Sequence, residues 1–171
     1  MVEIKAKLKI ARSAYKLEVK GRLELPFAAR RQARLETKLA SGEAVALNLP
    51  RGEVLRGGDL VTASDGRVLE VIALPEKLVQ AAYADAARLA RMAWQLGSAH
   101  VPAEIGDGYL RVAADAALAE KLRKSGAALT EVEAPFEPEA ALGGAHAHGH
   151  GHHDHDQHDH DHHHHSHDHK H

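Results

Sequence analysis

The sequence predicts an α+β protein made of a small all-β N-terminal domain, a C-terminal βαββαβ domain and a disordered histidine-rich tail. Three observations carry this. Apolar residues alternate in twos up to about residue 74, the period turns helical after Pro75, and the composition breaks near Leu142. The expected boundaries are 1–74, 75–142 and 143–171.

In the first part, Leu17, Val19, Gly21, Leu23 and Leu25 alternate with Lys16, Glu18, Lys20, Arg22 and Glu24, the period of a half-buried strand. Leu35 to Leu39 and Val45 to Leu49 repeat the pattern across Ser41-Gly42, a hairpin signal. Pro50-Arg51-Gly52 and Gly57-Gly58-Asp59 mark loops. Asp65-Gly66, between Leu60-Val61-Thr62 and the run Val68 to Ile72, predicts a two-residue hairpin turn, because both positions tolerate positive φ. Short strands at this spacing predict a small sandwich or barrel.

In the second part, Ala86, Leu89, Ala93 and Leu96 share one helical face, and Gly97 suits the left-handed stop after them. Asp115 predicts the N-cap of a second helix carrying Leu118 and Leu122 and ended by Gly126. Strand-like pieces surround the two helices: Lys77 to Ala82, Val101 to Ile105, Tyr109 to Ala113 and Ala127 to Ala134. The resulting order, β-α-β-β-α-β, is the ferredoxin-like arrangement.

Composition excludes several function classes. The 171 residues carry a formal charge of −2, and no apolar run approaches the roughly 18 residues of a membrane span. The basic start, Met1 to Arg12, lacks the apolar core and cleavage site of a secretory signal, so a cytoplasmic location is expected. Cysteine is absent, which removes thiolate metal sites, disulfides and a cysteine nucleophile. Residues 1–145 carry 21 basic against 19 acidic side chains, too weak an excess for nucleic-acid binding, and base-stacking aromatics are scarce. No phosphate loop, nucleophile elbow, His-Glu-x-x-His or dinucleotide fingerprint is present, so no enzyme is expected. Glu137 and Glu139 read as a solvated pair, Arg30, Arg31 and Arg34 as an exposed basic face, and Met92 and Trp94 as core or interface packing.

The tail carries the strongest chemical signal. Fifteen of the 16 histidines lie between His146 and His171, where no Leu, Ile, Val or aromatic residue is found. Such a segment cannot bury enough apolar surface to offset the entropy of ordering. Neutral imidazole binds nickel, copper, zinc and cobalt, and the alternation through His146, His148, His150, His152, His153 and His155 offers overlapping ligand sets. The longest histidine run, His162 to His165, has four members and is unlike a purification tag. His100 is the single histidine of the body and follows the helix stop on a loop. In a two-fold dimer one such residue per chain becomes a facing pair.

Several segments then resemble the urease accessory protein UreE family. Leu25-Pro26-Phe27 with Arg30-Arg31-Gln32, and the run Leu49 to Asp59, resemble its N-terminal β domain. The run Trp94 to Pro102, with His100 inside it, resembles the family's hallmark Tyr-His-Leu-Gly-Asn-Arg-His segment. Pro135 to Glu139, Gly143-Gly144 and the tail complete the order. The resemblance implies a peptide-binding-like β domain, a ferredoxin-like metal-binding domain and a homodimer in which His100 of each chain shares nickel. Departures are Gln95, Ser98 and Ala99, and the absence of two further histidines near Val112 to Asp115 that some members carry.

The expected function is therefore that of a non-enzymatic nickel metallochaperone, delivering nickel to a urease activation complex of accessory GTPase and urease apoprotein. No nucleic acid or membrane is expected as a partner. Two rival readings are a metal storage or detoxification protein and, from another class, an RNA-binding βαββαβ module.

Overall fold

The computed structural model describes residues 2–9 and 17–140. Among the described residues ten strands and three helices are laid out in the order β1 (Val2–Lys7), β2 (Val19–Leu25), α1 (Phe27–Arg30), β3 (Arg34–Lys38), β4 (Ala44–Asn48), β5 (Leu60–Ala63), β6 (Val68–Ala73), β7 (Pro75–Ala82), α2 (Ala86–Ser98), β8 (Glu104–Gly106), β9 (Tyr109–Ala113), α3 (Ala116–Lys124) and β10 (Ala128–Pro135). The expected disorder of the tail concerns residues outside the described ones.

The first sheet runs β2-β6-β5-β1-β4-β3. It is mixed: β1 pairs in parallel with β4 and β2 with β6, while β3–β4 and β5–β6 are antiparallel hairpins. Alternation explains the core, since Leu23 and Leu25 of β2, Val45 and Leu47 of β4 and Leu69 and Val71 of β6 all point into one buried cluster with Ile4. The Ala40 N–H donates to the Arg22 carbonyl at 3.0 Å, joining the chain just past β3 to the opposite edge strand and curling the sheet toward closure.

The Asp65-Gly66 hairpin differs from expectation. Only Gly66 has positive φ (86°), and the Ala63 N–H donates to the Arg67 carbonyl at 2.9 Å across a three-residue loop, Ser64 to Gly66. Such a loop needs a single left-handed residue. Asp65 instead accepts from the Arg67 backbone N–H (3.1 Å) and Nε (2.7 Å), holding the turn from its side.

The second sheet is fully antiparallel in the order β10-β7-β9-β8. Met92 and Leu96 of α2 and Leu122 of α3 cover one face, packing on Val79, Ala81, Leu110 and Val112. α3 starts as the sequence predicts, with Asp115 accepting from the Leu118 N–H at 2.7 Å, and α2 carries the same kind of cap, Asp85 accepting from the Ala87 N–H at 2.8 Å. The second expected strand of this domain is shorter than its expected span, because Val101 to Ala103 carry the chain away from α2 before pairing begins at Glu104.

Beyond β10 the chain returns to the first sheet. Phe136, 2% exposed, meets Phe27 edge to face with ring centroids 5.3 Å apart. Arg30 is fully buried, not part of an exposed basic face. A four-residue helical turn after Pro26 aims it inward, where Nε donates to the Leu25 carbonyl (3.2 Å), Nη1 to the Leu55 carbonyl (3.1 Å) and Nη2 to the Phe136 carbonyl (2.5 Å). Its charge is met by Glu137, 2.9 Å away. Glu137 is thus an ion-pair partner and not a solvated carboxylate.

Candidate functional site

α2 runs one residue past Gly97, to Ser98, so Gly97 does not stop it. The reversal falls on His100, whose φ of 55° makes it the sole non-glycine residue with positive φ among the described residues. The Val101 N–H donates back to the Leu96 carbonyl (2.9 Å) and the His100 N–H to the Gly97 carbonyl (3.0 Å). These two bonds form a Schellman cap, completed by Val101 packing into the cluster that holds Leu96. The left-handed position of that cap usually belongs to glycine, because a Cβ there crowds the following carbonyl. Histidine at this position is held in a conformation worth about 1 kcal/mol of strain, and its imidazole is presented on a rigid helix end.

The His100 side chain is exposed and lies on a groove of about 790 Å³ between the two sheets. Phe27, Val54 and Arg56 line it from the first sheet's side, and Pro102, Ile105 and Glu139 from the second's. Two large apolar side chains near His100 in the chain are exposed as well: Trp94 at 72% and Ile105 at 45%. Met92 of α2 is buried, whereas Trp94 is exposed and not part of the core.

Glu137 forms the second cluster. Oε1 accepts from Arg30 Nη1 and from the Gly57 N–H (2.8 Å), and Oε2 accepts from Arg56 Nη1 (3.1 Å). Burial pushes its carboxyl upward, but the Gly57 N–H and the two guanidinium groups outweigh this and hold it below the ordinary value. No signal in the sequence separated this carboxylate from Glu139.

Among the described residues no group of three or more histidine, aspartate or glutamate side chains is placed to hold a metal ion. His100 is the one described histidine, and the expected ligands His146, His148, His150, His152, His153 and His155 lie outside the described residues. No described helix is long and apolar enough to cross a membrane.

Fold and loop together define a two-sheet α+β protein that presents one imidazole at a strained helix end. The N-terminal domain model of UreE urease accessory protein matches residues 6–74, and its C-terminal domain model matches residues 76–171. The chain belongs to the UreE urease accessory protein family. It is similar to the urease accessory protein UreE of Burkholderia vietnamiensis, 47% identical over 125 residues, covering 72% of this chain and 62% of that one. The protein of the same name from Cupriavidus necator is 48% identical over 126 residues (73% and 66%), and that from Nitrosospira multiformis 42% over 128 (75% and 73%). The chain spans about 60% of the length of the first of these relatives.

Proposed function

We propose that the protein is a non-enzymatic nickel metallochaperone for urease maturation, acting in the cytoplasm. The reading rests on one observation above all: the single histidine of the described body sits exposed at the left-handed residue of a helix cap. One imidazole cannot hold a divalent ion tightly, so the site needs ligands from elsewhere. A two-fold homodimer supplies the partner subunit's His100, with exposed Trp94 and Ile105 as the apolar surface that a second copy would cover. The tail histidines, His146 to His155 first among them, supply the rest.

In this mechanism the tail collects nickel in exchangeable nitrogen-ligand sets and passes it to the His100 pair. From there it goes to the accessory GTPase and urease apoprotein. The strand order β10-β7-β9-β8 with both helices on one face supports a ferredoxin-like metal-binding domain over residues 75–142. Residues 1–74 would then form the peptide-binding-like domain that meets protein partners, and residues 143–171 the tail. Nitrogen ligation binds copper more tightly than nickel, so nickel specificity would come from partners and metal supply.

The test is a metal titration of the full chain and of a chain ending at Gly144, with mass measured at each step. The proposal expects one tight nickel per dimer in the shortened chain and several weaker sites added by the tail. A shortened chain that binds no nickel would leave the tail as the whole function, as in a storage protein.

A further inference from the structure

We propose that Glu137, gripped by Arg30 and Arg56, is a positioning residue that plants the root of the histidine-rich tail on the rim of the His100 groove. Its usefulness for metal transfer rests on the function proposed above; its geometry does not. After β10, the five described residues from Phe136 to Ala140 pair with no strand. Across those five, Phe136 is buried against Phe27, Glu137 bonds both guanidinium groups, and the Pro138 carbonyl accepts from Arg56 Nη1 at 2.6 Å. The Glu139 N–H donates to the Ala103 carbonyl at 2.9 Å, three residues past His100. Ala140 then lines the same groove as His100.

This strap decides the length of the leash. From Ala140 to His146, the first tail histidine, six residues reach at most about 20 Å. Were the strap released, the leash would start at Pro135 and span eleven residues. With effective concentration falling as the −3/2 power of leash length, the encounter of tail and groove would drop about 2.5-fold.

The chain contains no cysteine, so His146→Cys in the metal-free full-length protein gives a unique nitroxide attachment point. Paramagnetic relaxation of the Gly97, His100 and Val101 amides then reports how often the tail visits the groove. The expected result is a fall of about 2.5-fold in that enhancement when five Gly/Ser residues are inserted between Ala140 and Ala141, which leaves every strap contact in place. Glu137→Ala should lower it to the same degree, and Glu137→Gln replaces that variant if it misfolds. An insertion without effect would overturn the leash, and an effective insertion beside a silent Glu137 variant would overturn the role of Glu137. Nickel added afterwards is a separate arm: a leash effect without nickel reaching His100 would reject the metallochaperone reading and leave the positioning role standing.

Discussion

Arg30 Nη1 and Glu137 Oε1 lie 2.9 Å apart although 107 residues separate them in the chain. The guanidinium is fully buried, so the ion pair is also a statement about which segments must fold together. A buried charge left without its partner costs several kcal/mol. The first sheet therefore depends on a carboxylate delivered from beyond the last strand of the second. In Glu137→Ala we expect a loss of about 2–3 kcal/mol in urea unfolding, below the full range for a broken buried pair because Glu137 itself is about a third exposed.

The same carboxylate predicts an acid sensitivity. Its folded value is held below the ordinary 4.5, so the ionised form binds better to the folded chain than to the unfolded one. Its contribution is fully present above about pH 4.5 and is lost as pH falls through the lower folded value. Urea midpoints of the parent and of Glu137→Gln, measured from pH 6 to pH 3, should differ most at pH 6 and converge at the acid end. Parallel curves throughout would contradict this.

His100 should behave in opposite ways in stability and in binding. His100→Gly relieves the left-handed strain and should raise stability by about 1 kcal/mol, whereas His100→Ala keeps a Cβ there and should not. Both should abolish tight nickel binding in a chain ending at Gly144. Denaturant melts and calorimetric titration of the two variants check both halves of the prediction.

Trp94→Arg should weaken self-association at least tenfold, equivalent to about 1.4 kcal/mol, without altering the circular dichroism spectrum. The side chain is 72% exposed, so little packing within one chain depends on it. Sedimentation over a concentration series reads the change. A variant that associates as well as its parent would remove Trp94 from the interface.

Metal uptake by the tail should collapse between about pH 7 and pH 5, because an imidazole binds only when neutral. Equilibrium dialysis of nickel across that range measures it. Retention at pH 5 would point to Asp154, Asp156, Asp159, Asp161 and Asp168 as ligands instead.

Local rules made much of the body legible in advance. The β9 strand, the capping aspartate Asp115 and the turn glycines Gly42 and Gly126 act within a few residues of themselves, so pattern and propensity suffice to place them. What was not legible depends on distant partners. Val2 to Lys7 reads as a basic start, and only pairing with residues some forty and sixty positions away makes it a strand. Arg30 looks identical to Arg31 and Arg34 until Phe136 and Glu137 arrive. At the candidate site, His100 was singled out by its solitude. Its left-handed backbone is not legible in the sequence, because Gly97, three residues earlier, is a more ordinary place for a helix to stop.

The position of β1 bears on how the protein can be altered at its ends. β1 lies between β4 and β5, with Ile4 opposite Leu47 on one side and Ala63 on the other. Trimming those few residues would not shave an edge; it would cut the sheet into two ribbons, each with a newly bare row of backbone donors and acceptors. Such ribbons invite pairing with other chains. An N-terminal deletion is therefore expected to show itself as aggregation, and a reporter or purification handle belongs ahead of Val2 with a spacer, never in place of the strand.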